Sequence, residues 1–126
     1  MELFIMQISN FVFVGLGGAA GAMLRYAISL LPYRGTFPLL TLITNLLGAL
    51  AIGFIAGTAA KRQLPDSLIM FFKTGVCGGF TTFSTFSLEA WQLLDKGHAC
   101  LSVLYILFSV IFCLAGTAAG MWAASR

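Results

Sequence analysis

Four long apolar stretches separated only by short polar turns, at roughly residues 8–31, 37–60, 68–94 and 99–123, decide what solvent this chain folds in. Each is close to the roughly 20 residues that an α-helix needs to cross a bilayer. The chain is 126 residues long, 60% hydrophobic and only 9% charged, too little polar surface to keep a domain of this size in water. The expected architecture is an all-α integral membrane domain over residues 1–126, with four transmembrane helices. No length remains for a soluble catalytic module. The net charge of +3 comes from basic residues scattered near span ends or inside spans, which argues against nucleic acid as a partner. The first apolar run exceeds signal-peptide length and leads directly into the next span, so a retained first helix is expected. Cys77, Cys100 and Cys113 lie in apolar stretches without metal-ligand spacing and read as small buried side chains.

The third stretch does not read as an ordinary span. Its middle is Gly75-Val76-Cys77-Gly78-Gly79-Phe80-Thr81-Thr82-Phe83-Ser84-Thr85-Phe86-Ser87. Adjacent glycines followed by two threonines weaken a helix, so the spacing predicts a break between Gly78 and Thr82. At bilayer depth a break strips carbonyls and amides of their partners and is tolerated only where protein, water or an ion satisfies them. Beyond it, Phe83 and Phe86 should share a helix face, with Thr82, Ser84, Thr85 and Ser87 placing hydroxyls around the same turns. Aromatic edges are electropositive and hydroxyls donate hydrogen bonds, a combination that suits a partly dehydrated anion. Packing against lipid or core, with the hydroxyls bonding back to their own helix, explains the same pattern and on the pattern alone is the commoner outcome.

Asn45 is the polar side chain deepest in the second span, where it serves either a pore or an interhelical hydrogen bond. Arg25 either snorkels or pairs with Glu89, which reads as an interfacial carboxylate. Glycines 15, 17, 18 and 21 in the first span and 48, 53 and 57 in the second mark close helix packing. Lys61-Arg62-Gln63-Leu64-Pro65-Asp66-Ser67 and Asp95-Lys96-Gly97-His98 are the polar turns, and a lone turn histidine is no metal site.

Three strings, Gly18-Ala19-Ala20-Gly21-Ala22-Met23-Leu24-Arg25-Tyr26, Thr41-Leu42-Ile43-Thr44-Asn45-Leu46-Leu47-Gly48 and the glycine-threonine-phenylalanine string above, occur in an order that resembles the Fluc (CrcB) fluoride channels. The resemblance covers nearly the whole chain. It implies an antiparallel, dual-topology homodimer with two pores in the cell's inner (plasma) membrane, passing fluoride passively outward to relieve its toxicity. By the same resemblance Phe83 and Phe86 are pore phenylalanines, Asn45 is the pore asparagine, and Ser84 and Thr85 form the adjoining polar track. Arg25 is expected near the aqueous mouth, and Tyr105, Ser109 and Thr117 are pore neighbours on the last span. The backbone carbonyls of Gly78 and Thr81 from both subunits are implied to hold a structural sodium ion.

Two other classes share some of these features. A proton-coupled small multidrug transporter needs a carboxylate embedded in the first span, and here Glu2 precedes that span. A non-transporting membrane scaffold accounts for the glycines but leaves the broken, hydroxyl-rich centre without a purpose. An enzyme finds no nucleophile with an adjacent base. With an even number of spans the termini share one side. Lys61, Arg62, Lys73 and Arg126 then oppose Arg25, Arg34 and Lys96, a near-balance that gives little orientational bias. Reporters fused to the C-terminus should therefore be active on both sides of the membrane, and a single orientation would contradict dual topology.

Overall fold

The computed structural model describes residues 1–126 and is entirely helical. Three continuous helices, α1 (Glu2–Ser29), α2 (Leu39–Lys61) and α6 (Ala99–Ser125), are each long and apolar enough to cross a membrane. The region between α2 and α6 is built in pieces. α3 (Asp66–Ile69) runs into a π-helical segment, Met70–Cys77, and then α4 (Gly78–Phe80). Two extended threonines follow, and then α5 (Phe83–Asp95). The chain is thus an integral membrane protein whose third hydrophobic region is interrupted.

Local chemistry explains most boundaries. α1 stops at Ser29, just ahead of Pro32, although it starts at Glu2 rather than near Ile8 as hydropathy suggested. Pro38 and Pro65 stand immediately before α2 and α3, where a missing N–H costs nothing. α5 closes on Gly97, whose φ of +81° is open to glycine at little cost. There the His98 amide donates to the Leu93 carbonyl at 2.8 Å and the Gly97 amide to Leu94 at 2.9 Å, a Schellman closure. No periodicity signal separates the wider winding of Met70–Cys77 from an ordinary α-helix.

Glycines set how the helices meet. Gly17 faces the Phe71 carbonyl, Gly21 the Val76 carbonyl, and a Cβ on Gly75 would lie 2.9 Å from the Gly17 Cα. Gly53 likewise meets Thr117, and a Cβ on Gly120 would lie 2.7 Å from the Phe54 amide nitrogen. Residue numbers rise together along both seams, so α1 runs parallel to the first arm of the broken region and α2 runs parallel to α6. The Lys61 ammonium donates to the Ser125 carbonyl, joining the C-terminal ends of α2 and α6. α1 buries only Gly17 and Gly21; its large apolar side chains point outward, as lipid-facing residues must. Gly15, grouped with the others by spacing, faces open space instead.

Gly17→Ala should destabilise the protein by about 1–3 kcal/mol, because backbone atoms of the neighbouring arm cannot move aside as a side chain would. Gly15→Ala should leave stability unchanged or slightly higher. Thermal unfolding of the two variants in detergent checks the contrast, and equal loss in both would deny that these seams are backbone contacts.

Candidate functional site

The break is held by one side chain. Thr81 (φ −79°, ψ 157°) and Thr82 (φ −150°, ψ 113°) are both extended. Asn45 on α2 lies across them: its Nδ2 donates to the Thr82 carbonyl at 3.1 Å, and its Oδ1 accepts from the Thr82 amide at 2.8 Å. In a continuous helix that amide would donate to the Gly78 carbonyl. Thr82 also starts α5 as its N-cap, its Oγ1 accepting from the Thr85 amide at 3.1 Å. Thr81 Oγ1 donates back to the Cys77 carbonyl at 2.8 Å. The interruption therefore falls inside the expected Gly78–Thr82 window, but on the threonines. Gly78 and Gly79 stay helical, and Gly79 lies against the backbone of Gly18 on α1. Gly79 permits close packing, while the hydroxyls and Asn45 make the break.

Beside the break lies a cleft of about 640 Å³. Asn45, Gly78, Thr81, Phe83, Phe86 and Ser109, all picked out in the sequence, line it together, and Thr117 closes one side. The Phe83 and Phe86 rings share a face, with centroids 5.4 Å apart. Phe86 is buried at 9% exposure while Phe83 stands 79% exposed over the cleft. Ser109 Oγ is buried and has no hydrogen-bond partner. A buried hydroxyl without a partner is costly and points to a group that completes it. Asn45 keeps one amide hydrogen beyond its bond to Thr82. The Thr81 carbonyl accepts no hydrogen bond, and a Cβ on Gly78 would meet nothing within 4 Å. Thr81 thus leaves an unpaired backbone oxygen at a cleft residue, the type of ligand a hard cation takes.

The remaining candidates gather elsewhere. A smaller pocket of about 130 Å³ is lined by Arg25, Thr41, Thr82, Thr85 and Glu89. Arg25 does not pair with Glu89: its Nε donates to the Gly79 carbonyl at 3.2 Å, a backbone oxygen beside the break. Glu89 is engaged within the fold instead. It accepts from Thr41 Oγ1 at 2.8 Å and from the Tyr105 hydroxyl at 2.7 Å, which ties α5 to α2 and α6. Tyr105 is fully buried, and its ring centroid lies 5.2 Å from that of Phe86. Ser84 is exposed, and its hydroxyl meets Thr82 Oγ1 at 3.3 Å, while Thr82 Oγ1 also donates to Thr85 Oγ1 at 3.0 Å. Thr82 thus joins the hydroxyls to the clamp.

Residues 12–121 match the family model described as CrcB-like protein, Camphor Resistance (CrcB). The chain belongs to the CrcB family. Among its relatives, the fluoride-specific ion channel FluC of Methylobacterium sp. (strain 4-46) is 46% identical over 112 residues, covering 86% of this chain and 90% of the relative. The FluC protein of Azobacteroides pseudotrichonymphae is 47% identical over 102 residues, or 78% and 82% of the two chains. That of Helicobacter pylori (strain HPAG1) is 42% identical over 124 residues, or 93% and 95%. The chain is accordingly a multi-pass membrane protein.

In this CrcB protein, sequence reasoning missed two parts of the site. Cys113 lines the cleft between Ser109 and Thr117, so that Tyr105, Ser109, Cys113 and Thr117 recur every fourth residue along α6. That spacing was the available signal, obscured because a cysteine in an apolar run reads as filler. The other was the link from Glu89 to Thr41, since a contact between residues 48 apart leaves no local pattern.

Asn45→Leu should destabilise the protein by about 2–4 kcal/mol, since it leaves the Thr82 amide and carbonyl unpaired in a low-dielectric interior. Asn45→Gln, which keeps the amide but shifts it by a methylene, should fall between. Unfolding in detergent gives the order, and wild-type stability in Asn45→Leu would show that Asn45 does not hold the break.

Proposed function

We propose that this protein is a fluoride-selective passive channel, not an enzyme, and that two copies in opposite orientation form the conducting unit. The carrying observation is the chemistry of the cleft. The Ser109 hydroxyl has no partner, one Asn45 amide hydrogen stays free beyond its bond to Thr82, and no Asp or Glu lines the cleft. Such a surface favours an anion over a cation. Fluoride is small and strongly hydrated, so donors must replace its water wherever the path narrows. Phe83 and Phe86 present polarisable rings without a fixed charge that would trap the ion. The relatives named fluoride-specific ion channels support this ion over others.

On this reading the broken region makes the fourth crossing, in keeping with the parallel seams of α1 with its first arm and of α2 with α6. The open cleft is closed by a second, antiparallel copy, for which the near-balanced charge leaves both orientations accessible. Gly78 and Thr81 of each copy would hold a structural sodium ion through backbone carbonyls; when bound, it supplies a fixed positive charge that joins the subunits. Asn45 holds the carbonyls in place by keeping the break open. Tyr105 and Glu89 fix the Phe86 ring from behind, while Ser84 and Thr85 continue the hydroxyls along α5. In a bacterial plasma membrane, such a channel lets fluoride leave the cell and relieves its toxicity.

Phe83→Ile and Phe86→Ile should slow fluoride efflux from proteoliposomes by about tenfold, equivalent to roughly 1.4 kcal/mol in barrier height, with the dimer intact by size-exclusion chromatography. Isoleucine fills space but offers no polarised edge. Wild-type rates in both variants would remove the aromatic rings from the mechanism.

A further inference from the structure

One cleft residue is absorbed neither by the break nor by the hydroxyls. Lys73, on the π-helical segment, is exposed and lines the same cleft as Asn45, Phe83 and Phe86. It is the only cationic side chain there. None of the chain's four acids lines the cleft with it. Glu89 is engaged by Thr41 and Tyr105, and Asp66 stands at the polar start of the arm. At a rise of about 1.5 Å per residue, Lys73 lies roughly 10 Å along the arm from Asp66, on the way to the break. An ammonium at that depth without a countercharge is expensive unless it faces water or an anion.

We infer that Lys73 is the anion-collecting residue of this protein: its charge holds positive potential in the cleft and raises the rate at which fluoride reaches the Phe83–Phe86 segment. The inference rests on the channel reading. A cleft with low-dielectric walls and one sign of charge focuses field and raises the local concentration of the opposite ion. Lysine suits the task because its ammonium is a compact, hydrated point charge on a flexible stem. It attracts an anion without the bidentate grip that would hold it. A point charge draws chloride as well as fluoride, so Lys73 sets throughput and leaves selectivity to the rings and hydroxyls. A lysine that merely snorkels to the headgroups would have no such effect.

The test is fluoride efflux from proteoliposomes for wild type, Lys73→Gln, Lys73→Arg and Lys73→Glu at about 0.01 M and about 1 M ionic strength, where the screening length is roughly 30 Å and 3 Å. Lys73→Gln should be about tenfold slower at low salt and within about twofold of wild type at high salt, with Lys73→Arg close to wild type throughout. Lys73→Glu should be slower still at low salt and should speed up as salt rises. Fluoride preference over chloride should be unchanged in Lys73→Gln. Rates equal to wild type at both salts would overturn the inference, as would equal slowing at both salts, which marks a steric or packing effect. Should Lys73→Gln fail to form dimer, the salt response of Lys73→Glu relative to Lys73→Arg decides. No flux from wild-type dimer would instead overturn the channel reading on which the inference rests.

Discussion

The site depends on two hydrogen bonds between the Asn45 side chain and the backbone of Thr82. In water such a pair would contribute little, because solvent offers equivalent partners. In a membrane interior the alternative is an amide and a carbonyl with no partner, so the pair decides the local fold. Asn45 substitutes for one turn of helix. With the Thr82 amide turned toward α2, the Gly78 carbonyl loses its usual donor, the Thr81 carbonyl is freed, and α5 restarts with its hydroxyls around the break. Asn45 thus makes an interhelical hydrogen-bond pair and lines the cleft beside the break it holds.

A break of this kind needs rigid surroundings, and the glycine seams supply them. Hydrophobic burial does not drive helices together in lipid; close van der Waals contact and hydrogen bonds do. The first arm is pressed backbone to backbone onto α1 through Gly17, Gly21, Gly75 and Gly79, and α2 is pressed onto α6 through Gly53 and Gly120. The break thus sits between two tightly paired elements. The Arg25 guanidinium holding the Gly79 carbonyl adds a charged hydrogen bond from α1. Behind α5, the Glu89 carboxylate joins Thr41 and Tyr105, and Tyr105 in turn seats Phe86. The break and the Phe86 ring are each positioned by a neighbour that is itself fixed.

What the sequence made legible follows from how local each signal was. Hydropathy revealed the apolar spans, and Pro32, Pro65 and Gly97 punctuated them, because these are properties of short windows. The interruption was legible too, although the glycines beside it suggested a cause that belongs to the threonines and Asn45. The shared face of Phe83 and Phe86 followed from helical spacing alone. Pairings across the fold were not legible. Arg25 bonds a carbonyl 54 residues away, Glu89 turns inward to Thr41, and Cys113 joins the cleft through its place on α6. The direction of a side chain around an apolar helix is set by its neighbours, and a uniformly apolar span carries little periodicity to reveal it.

The central claim is that this broken, donor-lined cleft selects fluoride. The most direct measurement is anion efflux from potassium-loaded liposomes holding the purified wild-type protein, with valinomycin present and either fluoride or chloride inside. The account predicts rapid loss of fluoride and retention of chloride. Equal loss of both anions, or retention of both by well-folded dimer, would contradict it.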